Sequence, residues 1–297
     1  MKIIEELDTS MMNDFRKCPR YFELRHVEYL VPKMNSAKSK PEFGSALHDA
    51  LEIWYKDGDV NEARVAFLKK WAPYEGEDDT GIRTASKGIA IVEKYIDYFQ
   101  SEPFDIVELE IGGAVDMEDF VFIFRCDGLI REKGSGRLMI FEHKTSAHKG
   151  FLIPKPNHQL DGYIYGVSEL MGEEVSGAIL NQIYFRKGRK TEPVKDTISF
   201  NREETLRTKN ELERWRREVL WLSGQVRECC RDDFFPRVTS ACSQYGRCPF
   251  IELCQANDGP VYESIKEGMF EKEVWQPFVG ARNLKENLKE GGEDSEN

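Results

Sequence analysis

Between residues 44 and 99 the apolar side chains recur at helical spacing. Leu47, Leu51 and Trp54 predict a helix over Gly44 to Tyr55 capped by Ser45. Val60 to Trp71 is amphipathic and stops before Pro73, and Ile89, Val92, Ile96 and Phe99 line one face of a helix over Thr84 to Phe99 that ends before Pro103. From Phe104 the period changes to two. Phe104 to Val115, Phe120 to Arg131 and Leu138 to Thr145 alternate and are rich in Val, Ile and Phe, which predicts three successive strands. A helix over His158 to Met171 follows, striped by Leu160, Ile164, Val167 and Met171, then a strand over Gly177 to Phe185 and a long charged helix from Arg202 to Arg231. This order predicts an α/β fold in which helices flank one central mixed sheet. Beyond residue 257 the chain turns polar and ends in EGGEDSEN, so residues 1–257 read as the folded domain and 258–297 as a loose acidic tail anchored by Trp275 and Phe278.

Composition narrows the class. Among 297 residues, 40% are hydrophobic and 11% aromatic, enough for a packed core, so wholesale disorder is excluded. No run approaches the ~18 apolar residues of a membrane helix, and the N-terminus carries acids where a secretion signal would be greasy, which predicts a soluble, cytoplasmic chain. The net charge of −11 argues against a non-specific nucleic-acid coat, while local basic patches leave nucleic acid open as a substrate.

The most informative stretch is FVFIFRCDGLIREKGSGRLMIFEHKTS, residues 120–146. With Gly134-Ser135 as a hairpin turn, cross-strand partners have numbers summing to 269, so Asp127 lies opposite Glu142 and Arg125 opposite Lys144. Alternation then puts Asp127, Glu142 and Lys144 on one face and Phe122, Phe124, Cys126, Met139 and Phe141 on the other. Opposed acids at ~5 Å between Cβ atoms repel by ~3 kcal/mol at an effective dielectric near 20. Either one is protonated or a cation lies between them. Hard oxygen ligands around a partly open site suit Mg²⁺ or Mn²⁺, and a lysine beside them can orient or deprotonate water, or balance charge on an attacked phosphodiester. Such residues also occur as ordinary surface charges of an exposed hairpin. However, Glu142-His143-Lys144 is the sole E-x-K of the chain and ends an apolar strand, where charge is unusual. Gln159 and Tyr163, four apart, share one helix face and could hold a phosphate or the lysine, and His48, on the polar side of its helix, could complete a metal shell. Glu110, in the strand VELEI, is a further candidate ligand.

Seven cysteines, three of them spaced Cys242-x5-Cys248-x5-Cys254, fit metal ligation in a reducing compartment better than a disulfide framework. A fourth ligand would come from Cys18, Cys229 or Cys230. Zinc ribbons usually supply C-x2-C pairs, which are missing here, so the spacing leans toward an iron-sulfur cluster over zinc.

In this order the segments CPRYFELR, GSALHDALE, CDGLI, FEHKT, HQLDGYIYG and YGRCPFIELC resemble the RecB-type nucleases of the PD-(D/E)XK superfamily. The likeness is to the stand-alone iron-sulfur exonucleases related to the CRISPR-associated adaptation nuclease and its phage homologues. The resemblance implies a restriction-endonuclease-like core whose N- and C-terminal segments join at a cluster. It implies a divalent metal held by His48, Asp127, Glu142 and the backbone carbonyl of His143, with Lys144 catalytic and Gln159 and Tyr163 forming the Q-x3-Y motif that positions DNA. It further implies that Cys18, Cys242, Cys248 and Cys254 hold a four-iron, four-sulfur cluster. Cys126 stands where the family has proline before the acid, and the second and third cysteines are farther apart than is common. The implied activity is metal-dependent exonucleolytic hydrolysis of DNA, at single-stranded ends, in recombination, repair or processing, with recombination or replication proteins as partners.

Two basic stretches suit a strand tracked by its phosphates and stacked on rings: Arg20 and Tyr21 within RKCPRY, and Arg186, Lys187, Arg189 and Lys190 within RKGRK. Each reads equally as a solvated loop. The rival reading is a non-catalytic nucleic-acid-binding or recombination-scaffold protein with a structural cluster.

Overall fold

The computed structural model describes residues 4–33, 39–76, 78, 81–146, 153–186, 197–244, 246–276 and 282–283. In chain order the elements are β1 (Glu6–Leu7), α1 (Thr9–Lys17), α2 (Pro19–Phe22), a π-helical turn over Glu23–Val27, β2 (Leu30–Pro32), α3 (Ser39–Asp57), α4 (Val60–Trp71) and α5 (Ala85–Tyr98). Then come β3 (Phe104–Asp116), β4 (Val121–Glu132), β5 (Leu138–Ser146), α6 (His158–Met171), β6 (Val175–Arg186), β7 (Thr197–Leu206) and α7 (Lys209–Asp232). Finally α8 (Ile251–Ala256), α9 (Gly259–Met269), β8 (Phe270–Lys272) and β9 (Arg282–Asn283) complete the described chain. No helix among the described residues is long and apolar enough to cross a membrane.

The chain divides into two compact units. One comprises residues 1–35, 114–124 and 210–279, and the other residues 36–113, 125–209 and 280–297. In the second unit the strands follow the order β7-β6-β5-β4-β3-β9. β4 and β5 are antiparallel, β5 and β6 parallel with α6 as the crossover, and β6 and β7 antiparallel, giving the mixed sheet expected. Helices α3, α4 and α5 cover one face, where Phe43, Leu47, Phe67, Trp71, Val92 and Tyr95 pack with Ile183 and Phe185 of β6. Phe43 makes edge contacts with Phe67 and Trp71 at 5.5 and 5.0 Å between ring centroids, and full burial of a side chain of this size stabilises by roughly 1.5–3 kcal/mol.

Two helical boundaries differ from expectation. α3 starts at Ser39, so Ser45 is an interior residue and not a cap; Pro41 is tolerated because it falls in the first turn, where backbone N–H groups have no helical partner. The long helix begins at Lys209 and not Arg202. Residues 197–206 instead form β7, an outer strand whose backbone pairs antiparallel along Gly177–Arg186.

In the first unit β1 runs parallel to the start of β4, and β2 pairs with β8. The expected loose tail beyond residue 257 is ordered through β8. Pro260 opens α9 at its first turn, and Tyr262, Ile265 and Phe270 supply apolar side chains that pack with Leu24, Leu30, Phe250 and Leu253. Trp275 bonds Asp8 through its indole N–H, as an anchor should, whereas Phe278 lies outside the described residues.

Candidate metal centre

The β4–β5 hairpin has the expected register. Gly128 pairs with Phe141, Leu129 with Ile140, Ile130 with Met139 and Arg131 with Leu138. Its loop is longer than two residues: Glu132 donates its N–H to Arg137 O at 3.0 Å, Gly136 donates to Glu132 O at 2.8 Å, and Gly136 takes φ +73°, open to glycine at little cost. A symmetric lengthening leaves the sum of partners unchanged.

Beyond Gly128 and Phe141 the backbone pairing gives way to carboxylates. The His143 N–H donates to Asp127 Oδ2 at 2.6 Å, and the Asp127 N–H reaches Glu142 Oε2 at 3.4 Å. His48 comes from α3, and its Nδ1 lies 3.1 Å from Asp127 Oδ1. Lys144 Nζ donates to Glu142 Oε1 at 2.6 Å. Ligand atoms of His48, Glu110 and Asp127 all lie within 4.8 Å of one another, the one such group of His, Cys, Asp and Glu among the described residues. Glu110 sits in β3 at φ +48°, a left-handed conformation that costs a non-glycine residue of order 1 kcal/mol or more, and such strain persists where surrounding structure enforces it.

Alternation along β5 sends Phe141 and His143 toward α3 and α5, where Tyr55 stacks on the His143 ring and Tyr95 meets its edge. Glu142 and Lys144 point to the other face, where the Glu142 charge bears on Tyr163 of α6. On α6, Gln159 Nε2 donates to Tyr163 OH at 2.9 Å, so the two residues expected to act together do touch.

The expected apolar face is divided. Met139 and Phe141 cluster with Phe104 and Ile130, while in the first unit Phe122 stacks on Phe124 and meets Trp215. Cys126 is buried like them, within reach of the Glu142 and Asp127 charges.

Charge crowding sets the protonation states. Burial, then repulsion by Asp127, pushes the Glu110 carboxyl up to about 8. The same two causes raise Glu142. Burial also acts on Asp127, but His48 above all reverses it and holds this carboxyl below the usual range. For Lys144 burial opposes the charge, yet Glu142 and then Asp127 outweigh it and hold the ammonium above its ordinary range. His143 is driven down to about 3 by burial. One carboxylate held ionised, two that resist ionisation and the His48 imidazole offer oxygens and one nitrogen, a donor set that suits a hard divalent cation, with the Lys144 ammonium fixed beside it.

The cysteines expected to act together are in the first unit. Cys18, Cys242, Cys248 and Cys254 line one cavity of about 490 Å³, with Tyr21, Phe250 and Lys17 among its walls. Cys18 Sγ accepts the Val238 N–H at 3.4 Å, and the Cys248 N–H donates to Cys242 O at 2.9 Å. Burial raises the thiols of Cys248 and Cys254, and for both the neighbouring Cys18 pushes the same way. Cys229 lines a different groove.

Of the residues expected to touch a strand, Arg20 is ion-paired with Glu23 and bonded to Tyr262 OH at 3.3 Å, and Tyr21 packs its ring edge-on to Phe250 with Lys17 above it. Arg186 is exposed at the end of β6. Lys187, Arg189 and Lys190 lie outside the described residues. Asn181 and Arg202, both hydrogen-bonded behind the site, escaped the sequence reading. The one signal for Asn181 was an amide pair interrupting the apolar run AILNQIYF.

A sequence model of the PD-(D/E)XK nuclease superfamily matches residues 8–255. No curated protein sequence matches the chain. Among the solved structures that match is a candidate exonuclease from Eubacterium rectale, 14% identical, which covers 86% of this chain and 89% of its own with a TM-score of 0.52. At that identity the likeness extends to the fold.

Proposed function

Because the chain belongs to the PD-(D/E)XK nuclease superfamily, we propose that it is a metal-dependent DNA exonuclease acting at single-stranded ends. The observation that carries the reading is the convergence of His48, Asp127 and Glu110 on one point, with Glu142 and Lys144 bonded beside it. A Mg²⁺ or Mn²⁺ ion bound by Asp127, Glu142, His48 and the His143 carbonyl would polarise the phosphate and lower the pKa of water. Glu110 would add a further oxygen. The chain's own part is positioning and charge. Lys144, held protonated by Glu142, is unsuited to removing a proton at neutral pH; it balances negative charge building on the phosphate. His143 offers its peptide N–H to Asp127 and so fixes which carboxylate oxygen is left for the cation. Tyr163, its hydroxyl far above its usual range through burial and the Glu142 charge, stays protonated and donates to phosphate oxygen, oriented by Gln159.

The cysteine cavity is read as the seat of a four-iron, four-sulfur cluster. What supports this reading is that Cys18, Cys242, Cys248 and Cys254, which lie far apart in the sequence, line this one cavity.

End-labelled single- and double-stranded DNA, blocked at either terminus and incubated with Mg²⁺ or Mn²⁺, tests the activity. Stepwise loss from free single-stranded ends is expected, and Glu142→Ala and Lys144→Ala proteins that fold should lose it. Digestion by these variants at the parent's rate would sink the reading and favour a nucleic-acid-binding scaffold. Anaerobically purified protein should be brown; a colourless, zinc-loaded protein would refute the cluster.

A further inference from the structure

A polar network lies under the strand that carries Glu142 and Lys144, and the proposed chemistry leaves it without a task. Arg202 of β7 donates from Nε to Asn181 Oδ1 at 3.2 Å. Both its Nη atoms go to the Glu102 carboxylate, and Nη2 also reaches Tyr55 OH and Tyr95 OH at 2.8 and 2.9 Å. The guanidinium lies 3.5 Å above the Phe99 ring centre. Asn181, fully buried, donates from Nδ2 to Tyr95 OH at 2.8 Å and approaches His143 Nδ1 at 2.7 Å.

The donors run in one direction only. A guanidinium has no acceptor, so Arg202 fixes the Asn181 oxygen toward itself. The Asn181 NH₂ must then face Tyr95 and His143. His143 Nδ1 must accept, which places the ring hydrogen on Nε2. The His143 peptide bonds Asp127 through its N–H, and its ring is clamped by Tyr55 and Phe141. The network thus sets both the tautomer and the pose of the residue whose backbone bridges Asp127 and Glu142.

We infer that Arg202 is a positioning residue that, through Asn181, locks His143 as its Nε2–H tautomer and so holds the His143 peptide in the geometry that receives the divalent cation. The inference rests on the nuclease reading for its consequence in turnover, but its structural core does not. An unlocked imidazole could present a donor at Nδ1, rotate away from Asn181 and carry its peptide with it. Partners that orient a metal site from behind are worth about 10–100-fold in metal affinity or activity.

The test uses full-length Arg202→Met, Arg202→Lys and Asn181→Asp proteins. Two-bond ¹H–¹⁵N spectra of selectively labelled histidine should show an Nε2–H neutral ring at His143 in the parent. Asn181→Asp puts an acceptor where the amide stood and should move the signal to an Nδ1–H ring. Arg202→Met should give exchange between tautomers. In Mn²⁺ titrations of DNA digestion, half-saturation should rise about 10–100-fold in Arg202→Met, with KM for DNA unchanged. Arg202→Lys should not rescue, since an ammonium cannot reproduce the planar fork. A folded Arg202→Met protein with the parental His143 spectrum and Mn²⁺ dependence would overturn the inference. If Arg202→Met fails to fold, the isosteric Asn181→Asp decides: an unchanged Nε2–H signal overturns it. A parent that digests nothing defeats the nuclease reading while the nitrogen spectra still decide the relay.

Discussion

Lys144 and Glu110 make opposite statements about the same crowd of charges. Lys144 is stabilised by it, being bonded to Glu142 at 2.6 Å, so Lys144→Met removes a cation fixed beside the acids. Loss of a preorganised charge of this kind typically costs about 10²–10³ in kcat. The cation site loses a competitor for Glu142, so Mn²⁺ affinity by calorimetry should hold or tighten while single-turnover digestion collapses; weakened Mn²⁺ binding would point to a ligand-positioning role instead. Glu110 is penalised by the crowd. Its carboxyl is pushed from 4.5 up to about 8 in the folded chain, so between these values the folded state holds a proton that the unfolded chain releases. Stability linked to that proton is fully present below 4.5 and is lost as pH rises through about 8. With metal removed by EDTA, the urea midpoint should therefore fall from pH 5 to pH 8. Glu110→Gln should flatten that fall, and so should Mn²⁺, which binds the ionised form. Equal slopes in parent and Glu110→Gln would show that burial and Asp127 do not raise the Glu110 carboxyl in the folded chain.

At the scale of elements, β6 and β7 depend on a close approach at Gly177. A Cβ there would come within 2.2 Å of Thr205 O and 2.9 Å of Leu206 Cα. Both are backbone atoms, so the strand itself must move. Gly177→Ala should cost about 1–3 kcal/mol by urea unfolding and speed amide exchange along β7; unchanged exchange there would mean the strand yields without loss of pairing. This is also where sequence reading ran out. α4, α6 and the β4–β5 register follow from periodicity, because Phe67 and Trp71, Leu160 and Ile164, and the alternating Phe and Ile of the hairpin bury one side and expose the other. β7 carries Asn201, Arg202, Glu203 and Glu204 in a row, and its strand conformation comes from pairing with β6 instead of its own pattern. Of the candidate site, the grouping of Asp127, Glu142 and Lys144 was legible, since two paired strands set their offsets, whereas His48 reaches Asp127 from a separate helix whose placement no offset gives. Arg202 and Asn181 were not legible, because their meaning depends on a contact between two paired strands whose register the sequence pattern does not set.

At the scale of the whole molecule, four cysteines from distant parts of the chain line one cavity. Cys18 and Cys242 are 242 − 18 = 224 positions apart, yet they line one cavity in the unit that also holds α1, α7 and α9. Cys248 and Cys254 are packed directly against the apolar cluster of Leu24, Leu30, Phe250, Leu253, Tyr262 and Phe270, so a cluster bound there would be part of that core. The other unit has its own core between α3, α4, α5 and β6. Metal binding that forms only in the folded state adds its free energy to the stability of the element that binds. A Cys18→Ser protein should therefore be colourless and lose hydrogen-exchange protection in α1, α9 and the β2–β8 pair, while α4 and α5 keep the parent's protection. Denaturant unfolding should separate into two transitions, the earlier belonging to the cysteine-bearing unit, as chains with distinct cores often show. Loss of protection spread evenly over both units would mean that the cysteines support the chain as one cooperative body; no loss at all would mean that Cys18 holds nothing.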